Sequence, residues 1–287
     1  MIIPAFNAAR TIRRAIDSAL AQTMAPAEIV VVDDGSEDNT ACLAEVYGDT
    51  VRVVRQPNAG PAAARNHGAR LALGDWLAFL DADDAWLPTK LERQLAYIGS
   101  PQTGLVACRT SAYSSGQKIT LASLWEYNHI GMSGVLVRRS AFEEMGGFDE
   151  DPRLISAEDY NLWLRMATRW EIVAVSEDLF VYSPEAGSLS HQFERFAMAA
   201  IRNVDQIGGY LAIDPHVLEK KRVTILQENA YKAFSYRNLQ VARRLFGRAF
   251  RGSPSIARAA WWLATFAPAR VLDLRSSAFH SLKGRAI

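Results

Sequence analysis

DWLAFLDADDAW, residues 75–86, opens on an uninterrupted apolar run and closes on acids. Leu77, Ala78, Phe79 and Leu80 do not alternate with polar residues, as they would on a half-solvated strand. A short continuous run of this kind reads as a strand buried on both faces. Asp81, Asp83 and Asp84 follow at once, and Pro88 suits the first turn of a helix over PTKLERQLAYI. Open α/β sheets bind their ligands beyond the carboxyl ends of such strands.

The same alternation holds outward from this stretch. MIIPAF is a short apolar run ended by Pro4, and NAARTIRRAIDSALAQ carries a helical stripe of Ile12, Ala15, Ile16, Ala19 and Leu20. EIVVVDDGS is a β-branched run closed by an Asp-Gly turn, EDNTACLAEVYG a helix ending at Gly48, VRVVRQ a strand, and GPAAARNHGARLAL a helix ending at Gly74. Buried strands separated by helices predict an α/β fold with a parallel sheet covered on both faces. GLVACRTSAYSS, HIGMSGVLVRRS and EIVAVSEDLFVYS add strands, and SAFEEMGGFDED a helix broken by Gly146 and Gly147. From about His191 the pattern turns helical, which places a boundary near residue 190: a catalytic domain over 1–190 and an α-helical extension over 191–287. The first strand has little room before Pro4. A core strand takes about five residues, so the chain is expected to begin a few residues late.

Asp81 and Asp83 are two apart, and at a strand end such residues point the same way. Their hard oxygens suit a divalent cation, Mg2+ or Mn2+, that keeps waters and binds substrate phosphates. The bland alternative is a solvated acidic loop with Asp84 as a turn residue; the position directly after WLAFL favours the cation. For Asp33 and Asp34 the bland reading is an Asp-Gly turn, with Ser36 or Asp38 capping the next helix. The functional one makes Asp34 an acceptor for a nucleotide base. Arg65 is either a surface cation or a partner of acids or phosphate, with Gly60 and the alanines beside it letting backbone approach a ligand. No G-x-x-x-x-G-K-[ST] loop and no strand-linked G-x-G-x-x-G occurs, so a metal is the expected handle for a diphosphate. No nucleophile elbow with a Ser/His/Asp order occurs either.

ISAEDYNLWLR, residues 155–165, reads locally as a helix start. Ser156 is the expected N-cap and Asp159 completes a capping box, with Leu162, Trp163 and Met166 at helical spacing. Two adjacent carboxylates at a helix mouth can equally supply a general base.

The 287 residues carry a net charge of +1 and ordinary globular composition. Only Cys42 and Cys108 are present, which excludes a disulfide framework, and no Cys/His cluster has zinc spacing. A reducing, cytoplasmic setting follows. No secretory leader or spanning helix is expected from the apolar patterning. Residues 229–287 hold 11 basic residues against Asp273, a net +10, leaving about −9 for residues 1–228. An acidic body does not favour nucleic acid but suits metal-bridged phosphates. A basic tail suits an anionic membrane surface.

Taken in order, IIPAFNAARTIRRAIDSALAQT, EIVVVDDGSEDNT, NAGPAAARNHGARLALGDWLAFLDADDAW, GGFDE and SAEDYNLWLRMA strongly resemble family 2 inverting glycosyltransferases of the GT-A fold. Each motif alone is modest; five in sequence are specific, over residues 1–183. The resemblance implies a Rossmann-like, mostly parallel sheet sandwiched by helices and a nucleotide-diphospho-sugar donor. By motif position Pro4, Phe6 and Asp34 would line the nucleobase and ribose, with Gly60 and Arg65 beside the donor. Asp81 and Asp83 would be the D-x-D pair, Asp83 the stronger metal ligand. Asp159 would be the base, positioned by Ser156, with Glu158 supporting it or contacting the acceptor.

Some residues depart from the family pattern. Processive members carry Q-x-x-R-W well after the Glu-Asp pair. Here MATRW follows within a few residues with Met166 in place of Gln, which favours addition of a single sugar to a saccharide or lipid-linked acceptor of a cell-surface glycan. In YSPEAGSLSH, Ser183 and Glu185 stand where many relatives have Arg and His, and His191 is the substitute within reach. The tail segment SIARAAWWLATFAPARVLDL either packs on the catalytic domain or lies peripherally on the inner face of the plasma membrane. Two other functions compete. A sugar nucleotidylyltransferase is disfavoured by the lack of glycines in IPAFNAARTIRR, and a silent sugar-nucleotide binding protein by intact Asp81, Asp83 and Asp159.

Overall fold

A computed structural model of the chain describes residues 1–110, 112–183 and 192–266. It divides into two compact units, Met1–Leu189 and Ser190–Ile287. In the first, ten strands run in chain order: β1 Ile2–Ala5, β2 Val30–Asp33, β3 Arg52–Arg55, β4 Trp76–Ala78, β5 Ala85–Trp86, β6 Thr103–Cys108, β7 Lys118–Ile119, β8 Val135–Arg138, β9 Glu171–Val175 and β10 Phe180–Val181. Seven helices intervene: α1 Ile12–Leu20, α2 Thr40–Glu45, α3 Pro61–Leu71, α4 Lys90–Leu95, α5 Leu121–Glu126, α6 Arg139–Glu144 and α7 Glu158–Met166.

β1, β2 and β3 form a parallel sheet in that order, in register from Ile2 opposite Val30 and Val30 opposite Arg52. A parallel bridge from Ile2 to Phe79 and the hydrogen bond from Leu80 N to Ile2 O carry β1 onto the end of β4. There the direction changes. β8 runs against both β4 and β6, while β6 and β9 are parallel. Strands buried on both faces lack the alternation that would separate parallel from antiparallel neighbours, so periodicity did not show this mixed half. β5 and β10 pair apart as a short antiparallel ribbon.

Ile3, Val31, Leu80, Val106 and Leu136 lie in one core with Ile12, Ile16 and Ala19 of α1. α3 covers the other face of β1 and β2 through Ala64, against Val30 and Val32. Close approach is required there: a Cβ on Gly68 would stand 2.5 Å from Ile2 Cγ2.

The second unit contains α8 Phe193–Tyr210, α9 Pro215–Ser235, α10 Leu239–Gly252 and α11 Ile256–Ala264. Asp214, Asn238 and Ser255 cap the last three by accepting from a backbone N–H of the first turn. Trp261 sits edge-on to Tyr231 at 4.8 Å and stacks on Phe246 at 5.9 Å, so it packs inside this unit. Several basic residues of the tail are also engaged. Arg244 pairs with Glu194 at 2.6 Å, Arg243 donates to Thr265 O, and Arg258 donates to Gln227 and Ser253. Glu185, His191 and the basic residues after Phe266 lie outside the described residues.

Candidate active site

Four chain segments meet at the carboxyl ends of β1, β2 and β4. The first is the β1 end. Pro4 is buried within the strand. Phe6 is 51% exposed just beyond it. Asn7 adopts φ 50°, donates from N to Ser36 Oγ, and accepts from Glu37 N through its side chain. These bonds tie the β1 and β2 turns together and leave the Phe6 ring at their mouth.

Asp34, beyond β2, is buried rather than open at the strand end. Its Oδ1 accepts from Gln56 Nε2 at 2.7 Å and Ala59 N at 2.9 Å, and its Oδ2 from Gly60 N at 2.8 Å. Asp34 therefore holds the 56–60 loop that leads into α3. Gly60 enters the helix at φ 90°, a conformation that favours glycine. Asp33 pairs with Arg55 at 3.2 Å.

α3 is the hub of the site. Arg65 is buried. Its Nη1 donates to Glu158 Oε1 and its Nη2 to Asp81 Oδ1, each at 2.7 Å. Two carboxylates outweigh the desolvation of the guanidinium and hold it firmly cationic. Asn66 donates to Phe148 O and Glu150 Oε1 and accepts from Phe148 N, so the next residue along the helix clamps the GGFDE segment. Asn66 was not legible from its neighbours; an amide within an alanine-rich helix carries no pattern of its own.

The acid turn after β4 is tightly built. Asp84 N donates to Asp81 O at 3.0 Å. Ser133 Oγ donates to Asp84 Oδ2 at 2.6 Å and accepts from Asp81 N at 3.1 Å. Asp84 Oδ1 accepts from Ser183 N at 3.0 Å. Asp84 is thus a buried tether as well as a turn residue, and burial first of all pushes its carboxyl up to about 6. Asp83 is partly exposed, and its carbonyl accepts from Arg14. Among the described residues Asp81 Oδ2 has no hydrogen-bond partner. Ser133 was missed because a lone serine between Met132 and Gly134 gives no sequence signal.

The start of α7 differs from the expected capping box. Ala157 is the N-cap residue and no side chain caps it. Ser156 instead takes φ 83°, and its buried hydroxyl has no partner among the described residues. Glu158 Oε2 accepts from Ser156 N at 2.7 Å, and Asp159 Oδ1 accepts from Tyr160 N at 2.6 Å. Ser156 is therefore neither cap nor positioner of Asp159: in the left-handed region its side chain points away from the orphan N–H groups of the first turn. The strained residue and orphan hydroxyl sit beside the acids, where such strain tends to collect.

The two adjacent carboxylates end up unlike. Both Glu158 oxygens are engaged, one with Arg65. Asp159 keeps Oδ2 without a partner among the described residues. Burial, and then the charge of Glu158, push its carboxyl up to about 7. A proton acceptor poised near neutrality suits general base work. Among the described residues no three acid, histidine or cysteine side chains converge on one point. A diphosphate-bound Mg2+ or Mn2+ needs no such cage, since one or two carboxylates with substrate phosphates and waters suffice. The partnerless oxygen of Asp81 and the neighbouring Asp83 fit that requirement.

The chain is similar to the E. coli UDP-Glc:alpha-D-GlcNAc-diphosphoundecaprenol beta-1,3-glucosyltransferase WfaP, with 30% identity over 203 residues, covering 66% of this chain and 78% of that one. It is 33% identical to an uncharacterized glycosyltransferase of Rickettsia typhi across 58% of its own residues, and the match spans only 57% of that relative's length. The fold matches S. aureus TarS 1-349 in complex with UDP-GlcNAc at TM-score 0.63, 18% identity, 92% of this chain and 78% of that one. It also matches the Pyrobaculum calidifontis mannosyltransferase PcManGT in complex with GDP-Man and Mn2+ at TM-score 0.62 and 20% identity, over 96% of this chain and 80% of that one. The fold is GT-A. The model of the family described as glycosyl transferase family 2 matches residues 1–155, more than half of the chain, and the chain belongs to that family.

Proposed function

We propose that the protein is a metal-dependent, inverting, non-processive glycosyltransferase. It moves one sugar from a nucleotide-diphospho-sugar to a saccharide or lipid-linked acceptor in cell-surface glycan synthesis. The observation that carries this is the division between Glu158 and Asp159. Glu158 is locked into an ion pair that reaches Asp81, while Asp159 beside it keeps an oxygen without a partner and a proton affinity matched to neutral pH.

Pro4, Phe6 and Asp34 line the nucleobase and ribose, Phe6 through its exposed ring and Asp34 through the loop it holds. Gly60 and Arg65 flank the diphosphate. Asp81 and Asp83 would hold the divalent cation, which would supply neutralisation of the charge that grows on the leaving diphosphate. Asp159 takes the proton from the acceptor hydroxyl as that oxygen attacks the anomeric carbon from the face opposite the diphosphate. The carbon–oxygen bond to the diphosphate breaks as the new bond forms, so the configuration inverts and no enzyme nucleophile is needed. Burial, and then the charge of Glu158 beside it, keep Asp159 basic.

Membership of family 2 sets aside the nucleotidylyltransferase reading. WfaP's lipid-linked acceptor supports a similar acceptor here. No helix among the described residues is long and apolar enough to cross a membrane. Peripheral contact at the inner leaflet rests on exposed Ile256, Leu263 and Phe266 in the basic second unit.

A thermal-shift panel of nucleotide sugars with and without Mn2+ tests the reading. One donor should stabilise the protein only with the metal, and Asp159→Asn should keep that shift while losing transfer. No shift with any nucleoside diphosphate sinks the enzyme reading. Turnover preserved in Asp159→Asn sinks the base, and a metal-dependent shift in a wild type with no transfer to any acceptor supports a silent binder.

A further inference from the structure

A cavity of about 380 Å3 lies beyond the acid turn, within the size range of small-ligand sites. Its lining combines three kinds of chemistry. Asp81, Asp84 and Ser133 supply acids and a hydroxyl. Tyr127, His129, Phe180 and Tyr182 supply rings. Arg109 is the only arginine or lysine of the lining among the described residues. None of Pro4, Phe6, Asp34 and Gly60 belongs to it, so it is separate from the mouth assigned to the nucleoside.

Arg109 follows β6 at φ 59°, a left-handed conformation that a side chain other than glycine rarely takes. Its N donates to Glu177 O at 2.8 Å, which pins the kink to the β9–β10 connection. The guanidinium lies over the Phe180 ring, 5.3 Å from its centre. Among the described residues that guanidinium makes no hydrogen bond. Its ion partner Asp178 stands 3.8 Å away with a side chain 73% exposed, where water weakens the attraction. The other arginines of this half behave differently. Arg65 is spent on two acids, and Arg138 and Arg139 donate to backbone carbonyls. Arg109 keeps most of its donor capacity facing a cavity.

The rings are ordered too. His129 meets Tyr113 at 5.2 Å and Tyr127 at 5.0 Å, both edge to face. Tyr127 and Tyr182 are 59% and 48% exposed, large apolar faces of the kind that cover a ligand. Burial lowers His129, which leaves Arg109 as the standing cation. A cavity with acids and a cation in one lining orients what enters it. A negative group is drawn to the guanidinium, while neutral hydroxyls can face the acids.

We infer that this cavity is the acceptor subsite and that it takes a sugar bearing an oxyanion, phosphate or carboxylate, bound by Arg109 with the pyranose ring against the aromatic walls. The inference rests on the glycosyltransferase reading. Asp81 links the cavity to the transfer centre through Arg65 and Glu158. The guanidinium fork matches either oxyanion in two-point contact.

The test is calorimetric titration of the full chain with hexose 1-phosphates, hexuronic acids and the matching neutral hexoses, and separately with UDP and GDP plus Mn2+. The charged sugar should bind about tenfold or more tighter than its neutral twin. Arg109→Gln should erase that preference and leave nucleoside diphosphate affinity within about twofold, and Arg109→Lys should restore part of it. Preference for the 1-phosphate assigns a phosphate-linked acceptor; preference for the uronic acid assigns a carboxylate. Equal binding of charged and neutral sugars, or a preference that survives Arg109→Gln, overturns the inference. So does a matching loss of nucleoside diphosphate affinity in Arg109→Gln, which would put Arg109 on the donor. Binding of the charged sugar through Arg109 with no binding of any nucleoside diphosphate removes the donor reading and keeps the oxyanion site.

Discussion

Arg65 and Glu158, 93 residues apart in sequence, meet as a buried ion pair with Nη1 2.7 Å from Oε1. The pair joins α3 to the start of α7, where Asp159 follows Glu158, and ties that helix start to Asp81 of the acid turn. Breaking a buried pair from one side costs about 3–5 kcal/mol, because the remaining charge is left without compensation. Arg65→Met should therefore lower the urea midpoint strongly. Removing both charges leaves only the Asp81 carboxylate, 32% exposed, without its partner, so Arg65→Met with Glu158→Leu should recover much of the lost stability while transfer stays absent. A double variant as unstable as the single one would mean that the pair is not the main thing Arg65 holds.

The stability of the protein should carry the cost of the raised Asp159 carboxyl. The folded carboxyl of Asp159 is raised to about 7, above its unfolded value near 3.8. Between those two values the folded state holds the proton more tightly, so stability falls as pH rises through the window and stays lower above it. Asp159→Asn removes that cost. Its unfolding free energy should match the wild type near pH 4 and exceed it at pH 8 by an amount on the order of 1–3 kcal/mol, with a higher melting temperature there. Melting curves of both proteins across this range decide it; a variant less stable at pH 8 would show that the carboxylate is a structural partner.

The same raised value sets the pH dependence of turnover. A base must be ionised to accept a proton, so kcat/KM should rise with pH to a plateau, with its midpoint near 7. The limb reports the free enzyme, and Glu158→Gln, which removes the nearby negative charge, should shift it downward. A midpoint left near the ordinary carboxylate range would separate the limb from Asp159.

The contrast between Asp81 and Ser133 shows what was legible in the chain. Asp81 could be placed from sequence because a buried strand announces its own end, and acids stand out against WLAFL. The alternation of the first strands and helices followed from the same apolar runs, while the short β5, β7 and α5 did not. Local patterning has no access to partners that arrive from far along the chain. Ser133 lies 52 residues from the backbone N–H it accepts from, and Asn66 clamps Phe148 across 82. The capping box at Ser156 failed for a related reason. Ser156 is pulled into the left-handed region, while Glu158, expected to support the base or contact the acceptor, is drawn off by Arg65. Gly147 shows the same dependence, since at φ 69° its added Cβ would stand 2.8 Å from Asn66 Oδ1.

Ser133 gives the remaining test of how the acid turn is held. Its hydroxyl sits between Asp84 Oδ2 and Asp81 N, at 2.6 and 3.1 Å, and its carbonyl accepts from Trp86 Nε1 at 2.8 Å. The carbonyl contact survives in Ser133→Ala, so the fold should persist. The hydroxyl bridge does not, and one buried donor to a carboxylate is lost at about 1–3 kcal/mol. Asp81 N then loses its acceptor, and the direction of the Asp81 carboxylate is no longer fixed from the β8 side. The Mn2+ concentration for half-maximal transfer should rise several-fold, with the nucleoside diphosphate shift in melting temperature reduced in parallel. Ser133→Thr keeps the hydroxyl and should stay near wild type if the added methyl is accommodated. Unchanged metal dependence in Ser133→Ala, in a protein that has lost only stability, would reduce the bridge to a packing contact with no hold on Asp81.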